Sequence, residues 1–110
     1  MAADILVVTT ENIPGYHVTA VYGEVFGVTS RSRDIVSNIG AGLKTLVGGK
    51  IGAMTTLVET SRNESIQNLR DAAQAKGANA VVMMRFDTEA IMEGVSATVA
   101  YGTAVTIEAN

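Results

Sequence analysis

The sequence predicts an α+β domain, a two-layer sandwich of an antiparallel sheet and helices in the order ββααββ. Three observations predict it. Two β-rich segments precede a block of helical periodicity and two more follow it, which separates strands from helices instead of alternating them. The long helical segment carries one apolar stripe, enough to cover one face of a sheet. The chain has 110 residues with 47% hydrophobic content, which favours one domain spanning residues 1–110 around one core.

Each element has a local reason. Ile5 to Thr9 is a short β-branched run and reads as a strand. Asn12-Ile13-Pro14-Gly15 reads as a turn, because proline presets φ at the second position of a type II turn and glycine suits the third. Tyr16 to Thr29 is rich in Val, Thr, Tyr and Phe and reads as a long strand, with Gly23 and Gly27 marking a bulge or a close backbone approach. After a polar break at Arg31 to Arg33, Asp34 is a plausible N-cap for a first helix carrying Ile35, Ile39, Leu43 and Leu46. Gly40 and Gly42 weaken that helix by about 1 kcal/mol each relative to alanine. Gly48-Gly49 ends it.

A second helix is expected from about Ile51 to Lys76. Ile51, Met54, Val58, Ser61, Ser65, Leu69 and Ala72 share its apolar stripe, and the two small serines let it approach a sheet closely. Ser61 to Glu64 also fits a capping box, so a restart at Ser61 is the alternative to one long helix. Gly77 stands where a helix C′ residue belongs. Ala80 to Phe86 is the third strand, Thr88 to Gly94 a loop or short turn, and Ser96 to Ile107 the last long strand, interrupted by Gly102.

Composition narrows function. The net charge of −3 and the scattered basic residues argue against a nucleic-acid partner. Without cysteine there are no disulfides and no thiolate metal sites. The N-terminus has no basic region before its short apolar run, so it is not read as a signal peptide, and no apolar run approaches the about 18 residues of a membrane span. A soluble cytoplasmic protein is expected. Its low charge, 17% Asp, Glu, Lys and Arg, hints that partners cover part of the surface.

Several stretches together resemble the YbjQ-like family, small proteins carrying a heavy-metal-binding label. They are Thr19 to Gly27 with its Gly-Glu-Val-Phe-Gly end, Gly48-Gly49-Lys50-Ile51, Gly77-Ala78-Asn79-Ala80-Val81-Val82, Arg85-Phe86-Asp87, and Ala100-Tyr101-Gly102-Thr103-Ala104-Val105. They span nearly the whole chain in the family's order. The resemblance implies a dodecin-subunit-like fold assembled as a ring, a pentamer, and no established activity. The chain departs from the family's pattern at Ser61, Ser65 and Met83-Met84, which should alter packing more than fold.

Candidate chemistry is sparse. His17 is the one histidine, and a metal site on it would need copies around a ring axis or help from Glu24. The thioethers of Met54, Met83, Met84 and Met92 could serve a soft ion, although methionine more often fills gaps in cores and interfaces. No GxSxG elbow accompanies His17. GAGLKTLVGGKIG fits no phosphate-loop pattern, yet a glycine-rich turn before a helix is an anion seat that Lys44 and Lys50 could assist. Arg85 and Asp87 share a strand face by alternation and suit either a register-setting ion pair or recognition of an anion, with Glu24 as partner or substitute. Tyr101 beside Gly102 could line a small pocket.

The expected ligand-binding set is therefore Glu24, Lys50, Arg85, Asp87 and Tyr101, with His17 for a metal. No particular cofactor is implied. The preferred reading is a non-enzymatic homo-oligomer binding a small anionic ligand or an ion between subunits. The alternatives are a heavy-metal-binding protein and an enzyme acting on a small anionic substrate.

Overall fold

A computed structural model describes residues 5–32, 49–92 and 95–110, with the side chains at 31–32, 49–51, 53–54, 91–92 and 95 excepted. Its elements are β1 (Leu6–Val7), β2 (Tyr16–Ser32), α1 (Gly49–Ala75), β3 (Ala80–Met92) and β4 (Val95–Ala109). The helix expected from Asp34 lies outside the described residues. The long helix is continuous through Ser61, so the single-helix reading holds over the restart.

The four strands form one sheet in the order β1-β3-β4-β2. The sheet is mixed, not antiparallel throughout. β1 runs parallel to β3 through Leu6↔Ala80 and Val7↔Val81, while β3–β4 and β4–β2 are antiparallel. The parallel pair arises because the N-terminal segment extends along the free edge of β3. Val8 N–H donates to Val81 O, Met84 N–H to Val8 O and Met83 N–H to Thr10 O.

β3 also outruns its expected end. Residues 88–92, expected as a loop, remain extended because β4 keeps pairing with them from Thr88↔Thr98 to Met92↔Val95. That stretch, Thr-Glu-Ala-Ile-Met, has no apolar–polar alternation and is held extended by its ladder, which explains why periodicity misses it.

Helix α1 covers one face of the sheet. Leu69, Ala73, Val25, Val81, Met84, Ala100 and Ala104 form the core, with Ile66 and Phe86 packed against it. Many of these residues are small, so the layers approach closely. Gly27 is the tightest point. A Cβ built there would overlap the Ser65 carbonyl oxygen and the Leu69 amide nitrogen. Ser65 is fully buried opposite it and turns its hydroxyl back to Ser61 O at 2.6 Å, so the small residue brings no unsatisfied group into the contact. Gly23 carries the other expected role, at φ +97 beside a register shift.

Two devices close the turn between α1 and β3. Ala78 N–H donates to Ala73 O and Gly77 N–H to Gln74 O, a Schellman motif that places Gly77 at φ +88. Asn79 then grips β4 with both ends of its amide. Its Nδ2 donates to Ile107 O at 3.0 Å, and Ile107 N–H donates to its Oδ1 at 2.7 Å.

Among the described residues, a small apolar cluster covers one end of the outer face of the sheet, away from α1. There Ala80, Val82 and Val105 are buried under Val8, Ile13 and Ile107. Elsewhere on this face Phe26, Val28 and Tyr101 are exposed, while Ala97 is buried.

Candidate functional site

Strand pairing fixes which side chains share the open outer face. Directly opposed residues of antiparallel strands point to one side. Phe26, Tyr101 and Arg85 form one row across β2, β4 and β3. Glu24 stands opposite Thr103 in the adjoining row, and Asp87, Val99 and Val28 form the row on the other side. Glu24, Arg85, Asp87 and Tyr101, four of the expected site residues, are thus brought onto one face. All four are exposed, and apolar side chains lie among them, Phe26 at 60% and Val28 at 49% exposure.

Arg85 does not use Asp87 as its partner. Its Nη1 donates to Thr9 O and to Met84 O, both at 2.8 Å. The guanidinium therefore pins the N-terminal segment over the covered end of the face. Sequence alternation places Arg85 correctly but cannot reveal a carbonyl 76 positions away.

His17 and Glu24 do not meet. Both lie on β2, seven positions apart along an extended chain, on the order of 20 Å. His17 Nδ1 instead faces Asn110 Oδ1 at 2.8 Å, beside a recess of about 40 Å³ that Glu11, Tyr16 and Val82 help to line. Among the described residues, no three His, Cys, Asp or Glu side chains converge as metal ligands would. Of the thioethers, Met84 is buried and Met83 exposed, and those of Met54 and Met92 lie outside the described residues. Lys50 sits in the first turn of α1, with its side chain likewise outside the described residues, as is Lys44.

A second concavity lies on the helix side of the sheet. It encloses about 180 Å³ between Leu57, Val58, Ser61 and Arg62 of α1 and Thr88, Ser96 and Thr98 of β3 and β4. The guanidinium carbon of Arg62 stands 4.8 Å from the centroid of the Phe86 ring. Sequence reading misses this cleft because Thr88 was assigned to a loop, and because hydroxyl residues on strands give no site signal by themselves. Helical periodicity places Val58 and Ser61 on one stripe, and no more of the cleft than that.

The family described as "Putative heavy-metal-binding" (YbjQ_1) matches residues 5–108. The chain belongs to this family. A UPF0145 protein of Lacticaseibacillus casei is 53% identical over 105 residues, covering 96% of each chain. A UPF0145 protein of Streptomyces griseus is 55% identical over 106 residues, covering 96% of this chain and 87% of the relative. Among solved structures, a protein of unknown function of the DUF74 family from Pediococcus pentosaceus superposes with a TM-score of 0.61 at 17% identity. It covers 94% of this chain and 98% of that one, and at that identity the likeness speaks for the fold. No helix among the described residues is long and apolar enough to cross a membrane.

Proposed function

We propose that this protein is a non-enzymatic, cytoplasmic subunit of a homo-oligomeric ring of dodecin-like build, a pentamer, with a small ligand or ion held between subunits. One observation carries the reading. β2 is an edge strand 17 residues long, paired to β4 on one side, and among the described residues no strand lies beyond it. Among the described residues, nothing pairs with the sheet's opposite margin either, along β3 beyond the N-terminal segment, from Phe86 to Met92. The two open margins are different surfaces on opposite sides of one sheet. Pairing one with the other is heterologous, and such contacts generate a ring when the rotation between copies closes and an open filament when it does not.

The open outer face supports the ligand part of the reading. Phe26 and Val28 lie along the edge strand there with Glu24, and Tyr101, Arg85 and Asp87 extend from them across β4 and β3, so apolar and polar side chains share one exposed surface as interfaces have. Because they are exposed on a solvated face and not gathered in a cleft, they suit an interface better than a reaction centre. Light scattering on the full chain at micromolar concentration tests the assembly. A ring mass that falls to a monomer in Phe26→Asp is the expected result, and a wild-type monomer refutes the reading.

The family description favours a second reading, binding of a heavy metal. With no ligand cluster among the described residues of one subunit, His17 side chains from several copies would have to converge, or the His17 of one copy meet Glu24 of another. Titration of metal-free protein with Zn²⁺, Ni²⁺ and Cu⁺ tests it. Absence of saturable binding in the micromolar range disposes of it.

A further inference from the structure

The cleft between α1 and the distal ends of β3 and β4 belongs to neither reading above. It lies within one subunit, on the face of the sheet opposite Glu24, Arg85 and Tyr101. We propose that it is a binding site for a small aliphatic carboxylate, with the carboxylate on Arg62 and the strand hydroxyls and the hydrocarbon tail against Leu57 and Val58.

The chemistry of the lining supports this division. At one end stand donors, the Arg62 guanidinium and the hydroxyls of Ser61, Thr88 and Thr98, and no acidic residue lines the cleft among the described residues. Thr88 and Thr98 are directly paired across β3 and β4, so their hydroxyls rise from the sheet side by side. Arg62 lies over the Phe86 ring. The guanidinium carries a planar fork of N–H donors that matches a planar carboxylate. Its contact with the ring, 4.8 Å from carbon to centroid, restrains the side chain, which lowers the entropy lost on binding.

The other end is apolar and open. Val58 is 52% exposed, whereas Ser61, Ser65 and Leu69 farther along the same stripe are buried, and Leu57 is half-buried beside it. The exposed part of Val58 and Leu57 leaves aliphatic area for a short tail to cover. The volume of about 180 Å³ holds a molecule of about six heavy atoms, taking about 30 Å³ as one water's share of liquid. That is the size of butyrate. An anion of this size in an open cleft binds in the millimolar range.

The experiment is a titration of the full-length, isotopically labelled chain with sodium butyrate, followed by amide NMR. Sodium chloride and inorganic phosphate at matched ionic strength serve as controls. The expected result is saturable movement of the Ser61, Thr88 and Thr98 amides, weakened about tenfold or more in Arg62→Gln and in part restored in Arg62→Lys. Thr98→Val, which keeps the shape and removes one hydroxyl, is expected to weaken binding severalfold. Linear, unsaturable shifts overturn the proposal, as does unchanged affinity in Arg62→Gln. Phosphate binding as tightly as butyrate overturns the role assigned to the tail. Because the site is complete in one subunit, binding is expected to survive in Phe26→Asp. Loss of assembly and loss of butyrate binding are thus separate results.

Discussion

Gly27→Ala tests whether the contact between α1 and β2 is as close as it stands. The added Cβ would overlap the Ser65 carbonyl oxygen and the Leu69 amide nitrogen and lie 2.8 Å from the Asn68 carbonyl carbon. All three are backbone atoms, so no side chain can rotate away. Ordinary contact begins near 3.4 Å, so the helix must withdraw by about 1 Å or more. Withdrawal unseats Leu69 and Ala73, both fully buried against the sheet. Overpacking of this kind costs about 1–3 kcal/mol, and a clash with backbone on a rigid helix belongs at the upper end, about 3 kcal/mol. For a domain of this size that is a fall in Tm of roughly 10–20 °C. Thermal and urea denaturation followed by circular dichroism read it directly. Gly52→Ala is the control, since nothing lies within 4 Å of a Cβ at that exposed helical position. It is expected to stabilise by about 0.5–1 kcal/mol. A Gly27→Ala protein within about 1 kcal/mol of wild type would refute the close approach.

Three further substitutions probe other contacts by the same denaturation assay. Asn79→Ala removes both hydrogen bonds to Ile107 and is expected to cost about 2 kcal/mol, with Asn79→Asp between it and wild type because it keeps the acceptor. Met83 holds φ +58, so Met83→Gly is expected to stabilise by about 0.5–1 kcal/mol, while the β-branched Met83→Ile costs about 1 kcal/mol or more. Ser65→Ala is expected to stay within about 1 kcal/mol of wild type, because its hydroxyl bonds only to its own helix. Ser65→Val is expected to lose about 1–3 kcal/mol against Gly27.

Legibility of the fold followed the range of the forces involved. Gly23, Gly27 and Gly77 could be placed because bulges, close approaches and helix stops leave a local mark in residue type. Ser61 and Ser65 could be read as spacers because they interrupt an apolar stripe with small residues. The parallel β1–β3 pair was hidden, since two residues of strand carry no sign of direction. The end of β3 was hidden because Thr88, Glu89 and Ala90 are held extended by β4 alone. At the sites, alternation brought Arg85, Asp87, Glu24 and Tyr101 to one face, yet the partner of Arg85 proved to be a distant carbonyl. The cleft around Arg62 needed the register Thr88↔Thr98, which no local pattern encodes.

The place of β2 in the sheet bears on how the chain acquires its structure. The first long strand pairs with the last, and His17 touches Asn110 across 93 positions of sequence. A growing chain cannot complete that ladder until β4 has been made. Until then β2, with Val21, Phe26 and Val28, is an apolar ribbon with neither neighbour nor cover. Such long-range closure slows folding and lengthens the time in which unpaired strands can meet other chains. The same ribbon can therefore begin a productive assembly or an aggregate, and the order of two events decides between them: closure by β4 of its own chain, or capture by another.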